Sequence, residues 1–180
     1  MNFKAPRHLG ILQYNLNKNR ETTDSVLNDP SSSKYALLLL QEQYWSKYTK
    51  SSLLHQSWTL LEPKSSDDIL QYPRAVIYVN NKLLPANSYE PLSLPTTDAI
   101  GIVINLQDDT RLLIINIYNT PRTPTLNIIF DYLRAHFSIR TYSMVLMAGD
   151  FNLHHPLWNP PIHQAHDAEA DELIERMNHL

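Results

Sequence analysis

Short apolar segments of strand length recur along this chain, and they constrain its fold more than any other feature. The segment at 35–41, YALLLLQ, is apolar over nearly its whole length, which is typical of a strand covered on both faces. Further segments that read as strands occur at 9–16, 58–61, 74–79, 100–106, 112–118 and 143–148. Many buried strands with few helices predict two sheets packed face to face, with the helices outside them.

Three other segments have the apolar spacing or the boundaries of helices. The first, at 21–27, ends before Asn28-Asp29-Pro30, and the second, at 125–137, follows Pro124 and carries an apolar stripe. A last helix is predicted at 168–180, whose acidic first turn suits the positive end of a helix dipole. The polar residues at 107–110 predict a hairpin between two of the strands.

Composition restricts the class of protein. A chain of 180 residues with 43% hydrophobic residues is long enough for one domain, which we expect to span 1–180. There is no cysteine, no apolar run long enough for a membrane span and no secretory leader, so we expect an intracellular protein of the nucleus or cytoplasm that does not enter a membrane. The net charge of −3 argues against a strongly basic DNA-binding surface, but not against a hydrolase that binds phosphate through a metal.

A carboxylate and an amide follow the apolar strand at 143–148. Asp150 and Asn152 are two residues apart, so in an extended chain their side chains point to the same side. An aspartate there can orient a water molecule, and an asparagine can donate a hydrogen bond to a phosphoryl oxygen. An ordinary Asx turn that closes the strand is the alternative interpretation.

Polar groups also follow three other apolar strands. Asn15, Glu42 and Tyr118 each lie where such a strand ends. Singly, each is compatible with a turn or a solvent-facing strand end. A carboxylate is a ligand that Mg²⁺ prefers, so converging strand ends would form one metal and phosphate site.

Five segments together resemble the endonuclease/exonuclease/phosphatase superfamily, in particular the endonuclease domains of fungal non-LTR retrotransposons. They are ILQYNLNKNR, LLLQEQYW, PRAVIYVNN, INIYNTPR and AGDFNLHHPLWN, in this order. The resemblance implies a four-layer α/β sandwich of the DNase I type and hydrolysis of DNA phosphodiesters with Mg²⁺ (or Mn²⁺).

The resemblance also implies a role for each candidate residue. Glu42 would be the metal ligand with Asn15 beside it, and Tyr118 would stabilise charge on the phosphoryl group. Asp150 would align the attacking water, and Asn152 would contact the phosphate. Arg74, which begins the PRAVIYV strand, is either near the site or an ordinary surface arginine, and the surface interpretation is preferred.

The sequence departs from the family pattern after its last helix. Family members continue with strands that carry a serine, an aspartate and a histidine, and none of the eight histidines here matches that histidine. We therefore expect a domain that is incomplete at its C-terminus, with weak or absent activity and an exposed sheet edge prone to self-association. The alternatives are a non-catalytic remnant or interaction module with the same fold, and a phosphatase that acts on a small phosphoester.

The histidines present are interpreted as structural. His154 and His155 belong to the AGDFNLHHPLWN segment and are expected to stabilise its loop. His163 and His166 could bind a metal only adventitiously.

Overall fold

The computed structural model of the chain describes residues 8–63, 72–106, 110–136 and 142–178. Within these ranges the strands are β1 (Ile11–Asn15), β2 (Leu37–Gln41), β3 (Trp45–Ser46), β4 (Ser51–Ser52), β5 (Trp58–Leu61), β6 (Ala75–Asn80), β7 (Tyr89–Ser93), β8 (Ala99–Asn105), β9 (Arg111–Tyr118) and β10 (Met144–Asp150). The helices are α1 (Arg20–Asn28), α2 (Thr125–His136) and α3 (Ala168–Asn178), with short 3₁₀ turns at Pro30–Lys34 and Ala86–Ser88.

Two four-stranded mixed sheets form the centre of the molecule. The first has the strand order β1-β2-β6-β5 and the second has the order β10-β9-β8-β7. In each sheet an outer strand runs parallel to its neighbour, β1 to β2 and β10 to β9, and the remaining pairs are antiparallel. Because β1 and β10 are both edge strands, neither sheet closes on itself.

Apolar packing arranges these sheets in layers. Between the sheets lies a core in which Leu39, Ile77, Ile102 and Ile114 are all fully buried. Leu27 of α1 packs on the outer face of the first sheet, and α2 and α3 pack on the outer face of the second. The predicted sandwich of two sheets flanked by helices is therefore confirmed.

A pair of buried amides joins the two sheets inside this core. Asn116 of β9 is fully buried, and its Nδ2 donates to the backbone oxygens of Leu40 (3.0 Å) and Val76 (2.7 Å) in the opposite sheet. Its Oδ1 accepts a hydrogen bond from the Nε2 of Gln41, and Gln41 in turn accepts one from Gln13 at 2.5 Å. Buried polar groups are stable only when they are paired, so these contacts fix one relative position of the sheets.

One strand of the second sheet is absent from the sequence prediction. β7 contains Pro91, which lacks an N–H and is therefore usual only at a sheet edge, where β7 lies.

The hairpin joining β8 to β9 is confirmed by their antiparallel pairing, although its tip at 107–109 lies outside the described residues. The predicted ends of two helices, Phe137 and Leu180, also lie outside them. No helix in the described ranges is both long and apolar enough to cross a membrane.

We predict that Asn116→Ala lowers the free energy of unfolding by about 3 kcal/mol, because Gln41 loses its buried partner and two carbonyls lose a donor. Urea unfolding followed by circular dichroism measures the loss. Asn127, exposed on α2, provides the matched control, and Asn127→Ala should change stability by no more than about 0.5 kcal/mol. Equal effects of the two substitutions would show that the amide bridge contributes nothing.

Candidate functional site

The carboxyl ends of β1, β2, β9 and β10 lie together at one end of the sandwich. In the first sheet Asn15 lies opposite Gln41, the residue before Glu42, and in the second Tyr118 lies opposite Asp150. The Nδ2 of Asn15 donates to the Oδ2 of Asp150 at 2.7 Å and so links the two sheets. The structure therefore brings the strand ends that carry the five candidate residues to the same end of the molecule.

Asp150 is held at both of its carboxylate oxygens. Oδ2 accepts from Asn15, and Oδ1 accepts from the backbone N–H of Asn152 at 3.1 Å. Asn152 also donates through its Nδ2 to the backbone oxygen of Asn119 at 2.9 Å. The Asx turn that the sequence suggested as an alternative is thus present, and the same turn fixes the direction of the Asp150 carboxylate.

Glu42 is a buried carboxylate that is paired with two cations. Its Oε1 lies 2.8 Å from the Nη2 of Arg74 and 3.3 Å from the Nζ of Lys18. The guanidinium of Arg74 also lies over the ring of Tyr118, 4.2 Å from its centre. The interpretation of Arg74 as a surface residue is therefore wrong: it joins two candidate residues, which a lone arginine at the start of a strand did not reveal.

The backbone at this end adopts a conformation that residues other than glycine usually avoid. Positive φ angles occur at Asn17 (48°), Lys18 (57°), Glu42 (46°) and Asn152 (49°). Asparagine tolerates this region better than glutamate or lysine, so the φ of Glu42 carries a local energetic cost. Such strain persists only where the surroundings impose it, and it is found most often at functional sites.

Hydrogen bonds around the end of β2 impose that conformation. The N–H of Glu42 donates to the oxygen of Arg74 (2.8 Å), and the oxygen of Glu42 accepts from the N–H of Lys18 (2.5 Å). The next residue, Gln43, is fully buried and donates to the oxygen of Pro73 at 2.7 Å. The hydroxyl of Tyr72 donates to the oxygen of Gln43, and burial raises the pKa of Tyr72 far above its usual range, so this donor stays protonated.

The donor set at this end suits a hard divalent cation. Glu42 offers carboxylate oxygens, and Asn15 offers an amide oxygen that already accepts from the N–H of Asn17 at 2.9 Å. Mg²⁺ is typically held by one or two carboxylates with water and phosphate completing its coordination, so a single glutamate suffices. The residues fit such an ion, but Arg74 and Lys18 already contact the same carboxylate oxygen.

The histidine-rich loop after β10 is tied to the start of α3. Asp167 accepts from the backbone N–H of His154 at 2.7 Å and lies 3.1 Å from its ring Nδ1. These hydrogen bonds hold the pKa of Asp167 below its usual range. The ring of His163 lies against that of His154, with ring centres 4.9 Å apart. The contacts of His154 are those of a residue that stabilises the loop.

A second group of hydrogen-bonded side chains in this loop, two histidines and an aspartate, has the residue types of a metal site. His155 and His166 each place Nε2 close to the carboxylate of Asp171, at 3.2 Å and 2.9 Å. The backbone N–H of Leu157, however, donates to the Nδ1 of His155 at 3.0 Å. The ring proton of neutral His155 therefore lies on Nε2, the atom that a metal would need free. The arrangement fits hydrogen bonds to Asp171 better than it fits a metal ion.

A large cleft opens beside the Asp150 strand end. Its volume is about 990 Å³, and the residues that line it include Gly149, Asp150, Asn152, Trp158 and Leu173. Most of its wall is apolar, and its polar lining residues include Asp150, Asn152 and His154. A ligand larger than a single phosphate therefore has room next to the candidate residues.

Gly149 positions Asp150, and we predict that Gly149→Ala disrupts this end of β10. The φ of Gly149 is +140°, and a Cβ there would lie 1.9 Å from the backbone oxygen of Ile117 on β9. Because backbone cannot yield as a side chain does, we expect a loss of about 3 kcal/mol in unfolding free energy, measured by thermal and urea denaturation.

Gly101 serves as the control for that substitution. The atoms nearest to a Cβ at Gly101 would be those of the Leu92 side chain, at 3.0 Å or more, so Gly101→Ala should cost less than Gly149→Ala. The reverse order of stabilities would contradict the role given to Gly149.

A family model matches part of the chain. Residues 112–180 match the endonuclease-reverse transcriptase family. The matched part includes Tyr118, Asp150 and Asn152, whereas Asn15 and Glu42 lie before it. Among curated proteins none matches the chain in sequence.

Solved structures resemble the chain over most of its length. The endonuclease domain of TRAS1, a telomere-specific non-LTR retrotransposon, superposes with a TM-score of 0.67 at 18% identity, over 96% of this chain and 70% of that domain. TDP2 of D. rerio, solved with a single-strand DNA product, gives a TM-score of 0.44 at 15% identity, over 82% of this chain and 62% of TDP2. At these identities the TRAS1 match shows the fold alone.

The two kinds of comparison agree with the resemblance seen in the sequence. The likeness to the endonuclease/exonuclease/phosphatase superfamily is confirmed, in sequence for residues 112–180 and in fold by the endonuclease domain of a non-LTR retrotransposon.

Proposed function

We propose that this chain is the phosphodiester-binding core of a divalent-metal-dependent endonuclease of the retroelement type, with DNA as its substrate. The observation that supports this most directly is the 2.7 Å hydrogen bond between Asn15 and Asp150, which joins the ends of β1 and β10 across the two sheets. Glu42, Tyr118 and Asn152 lie on strand ends or turns next to these two residues. Carboxylate, amide and phenol groups gathered in one place are residue types that can hold a metal and stabilise charge on a phosphodiester, which supports the proposal.

Each residue has a chemical role in this proposal. Glu42 and Asn15 would hold Mg²⁺ (or Mn²⁺), which when bound supplies positive charge to the phosphoryl oxygens. Asn152 and the Tyr118 hydroxyl would donate hydrogen bonds to the same group. Asp150, whose carboxylate is fixed by Asn15 and by the N–H of Asn152, would orient the attacking water.

Proton transfer is the step of the proposed reaction for which the site offers the fewest groups. In the part of the chain that the structure describes, Asp150 bonds to amide groups, and no histidine is hydrogen-bonded to it or to Asn152. A positioned acid or base typically contributes about 10²–10⁴-fold to a rate. We therefore propose that the 180-residue chain binds a phosphodiester but hydrolyses it slowly.

We predict that the purified chain nicks supercoiled plasmid with Mg²⁺ about 10²–10⁴-fold more slowly than a nuclease whose site holds a positioned acid or base. Asp150→Ala should remove the remaining activity, because the attacking water loses its orienting group. Agarose gel electrophoresis of timed samples measures the nicked fraction. Asp131→Ala is the matched control, since Asp131 is an exposed carboxylate on α2 paired with Arg134.

Fast nicking that depends on Asp150 would contradict the slow-hydrolysis proposal and would direct attention to His154 or His155 as the base. Nicking that Asp150→Ala leaves unchanged would contradict the assignment of the site. A chain that binds DNA without any turnover would correspond to a non-catalytic remnant of the fold.

A small phosphoester is the second candidate substrate. The net charge of −3 favours it, because tight binding of DNA usually relies on a basic surface. Phosphate release from nucleotides and from inositol phosphates, measured beside plasmid nicking, separates the two substrate classes.

We also propose that the isolated chain self-associates through β10, which in the part of the chain that the structure describes pairs with β9 along one edge and leaves its other edge open. Met144, Val145 and Leu146 on this edge strand are exposed by 50%, 37% and 39% of their surface. No charged residue or proline interrupts the strand before Asp150. Edge strands without such interruptions pair readily with another chain.

Leu146→Lys should therefore shift the chain towards the monomer, because a lysine on an edge strand opposes pairing. Sedimentation velocity over a range of concentrations measures the shift. Leu157→Lys is the control, since Leu157 is 74% exposed but lies in the loop after β10. A wild-type chain that is monomeric at every concentration would contradict the self-association.

A further inference from the structure

We infer that Arg74 couples cation binding to phosphate binding at this site. In the absence of a metal its guanidinium neutralises the carboxylate of Glu42, and once a divalent cation takes that carboxylate the guanidinium becomes available to the phosphodiester. This inference rests on the proposed function, because it takes Glu42 as the metal ligand.

The pairing of Arg74 with Glu42 is built into the backbone. The N–H of Arg74 donates to the oxygen of Thr97 at 2.9 Å, and its oxygen accepts from the N–H of Glu42 at 2.8 Å. Both residues are therefore held by ladder-type hydrogen bonds at the start of β6 and the end of β2. Their side chains meet at 2.8 Å with only 25% and 11% of their surfaces exposed, so solvent screens the pair weakly.

Tyr118 gives the guanidinium a support that does not depend on Glu42. The Arg74 guanidinium lies 4.2 Å from the centre of the Tyr118 ring, and Tyr118 lies opposite Asp150 in the second sheet. Arginine stacks on an aromatic ring and still directs several N–H donors outwards, whereas lysine offers a point charge. The guanidinium can thus stay on the ring when the carboxylate is taken by another cation.

The guanidinium of Arg74 also has N–H donors that Glu42 does not use. Of its donors, Nη2 bonds to Glu42, and Nε is buried without a hydrogen-bond partner among the described residues. A guanidinium has five N–H donors in a planar fork that matches the oxygens of a phosphate group. Because Nε is buried, the donors left for an oxyanion are those of Nη1 and the second N–H of Nη2, on a side chain that is 25% exposed.

The local charge makes cation and anion binding interdependent. Arg74 and Lys18 place two positive charges on Oε1 of Glu42, and Lys18 is 58% exposed. Asp150, the other carboxylate at this end, bonds to Asn15 and Asn152. A divalent cation at Glu42 is repelled by Arg74 until a phosphodiester anion neutralises the guanidinium. By linkage, the cation must then strengthen phosphodiester binding by the same factor.

The test measures Mn²⁺ binding by electron paramagnetic resonance, with and without the dinucleotide TpT, which carries one phosphodiester. In the wild-type chain we expect TpT to tighten Mn²⁺ binding at least about fivefold, within the usual range of coupling between sites. The neutral methylphosphonate analogue of TpT should not do so, because it lacks the anionic charge.

In Arg74→Gln the repulsion from the nearer and less exposed cation is removed while that from Lys18 remains, so Mn²⁺ alone should bind about tenfold more tightly and TpT should add little. Arg74→Lys keeps the charge without the fork and should bind Mn²⁺ like the wild type with a smaller effect of TpT. Arg111→Gln, which breaks the ion pair with Glu90 in the second sheet, is the matched control and should behave as the wild type.

Two results would overturn the inference. One is an Mn²⁺ affinity in Arg74→Gln that equals that of the wild type. The other is a tightening of Mn²⁺ binding by TpT that is as large in Arg74→Gln and Arg74→Lys as in the wild type. Mn²⁺ binding to the Glu42→Gln variant shows whether the coupling alone is wrong or whether the proposed metal site is wrong as well. If Glu42→Gln abolishes Mn²⁺ binding while Arg74→Gln has no effect, only the coupling is wrong. If Mn²⁺ binding is absent from the wild type or persists in Glu42→Gln, the metal assignment and the coupling are both wrong.

Discussion

The hydrogen bonds that Asn116 makes across the core join the two sheets on which the candidate site is built. Its amide lies between two apolar sheets and donates to carbonyls of β2 and β6, while its oxygen accepts from Gln41. Apolar side chains alone tolerate small shifts of one sheet over the other, but a buried amide must keep its partners. The relative position of the sheets is fixed in this way, and the site depends on it because its residues come from both sheets.

The site at the strand ends is a balance of opposite charges on a strained backbone. Glu42 carries a positive φ, and its carboxylate is held by Arg74 and Lys18. The amide of Asn15 and the turn at Asn152 hold Asp150 in a similar way. Preorganised groups of this kind favour developing charge in a transition state, because they need no reorganisation when the charge appears. In the proposed reaction turnover would also require proton transfer, and among the described residues no histidine is hydrogen-bonded to Asp150 or Asn152.

The sequence predicted the layers of the fold better than their edges. Runs such as 35–41 identify buried strands because burial on both faces demands apolar side chains at every position. β7 escaped the prediction because an edge strand is only partly buried and can contain Pro91. The short strands β3 and β4 also escaped it, since two-residue pairings leave no periodic pattern.

The sequence by itself determined which residue types end the strands: Asn15, Glu42, Tyr118, Asp150 and Asn152 are visible as polar groups after apolar runs. Only the tertiary structure decided that Asn15 bonds to Asp150, 135 positions away, and that Arg74 lies between Glu42 and the Tyr118 ring. The physical reason is that strand periodicity records which side of a sheet a residue faces. The neighbours of a strand end depend instead on sheet order, register and the position of one sheet over the other, which non-local packing selects.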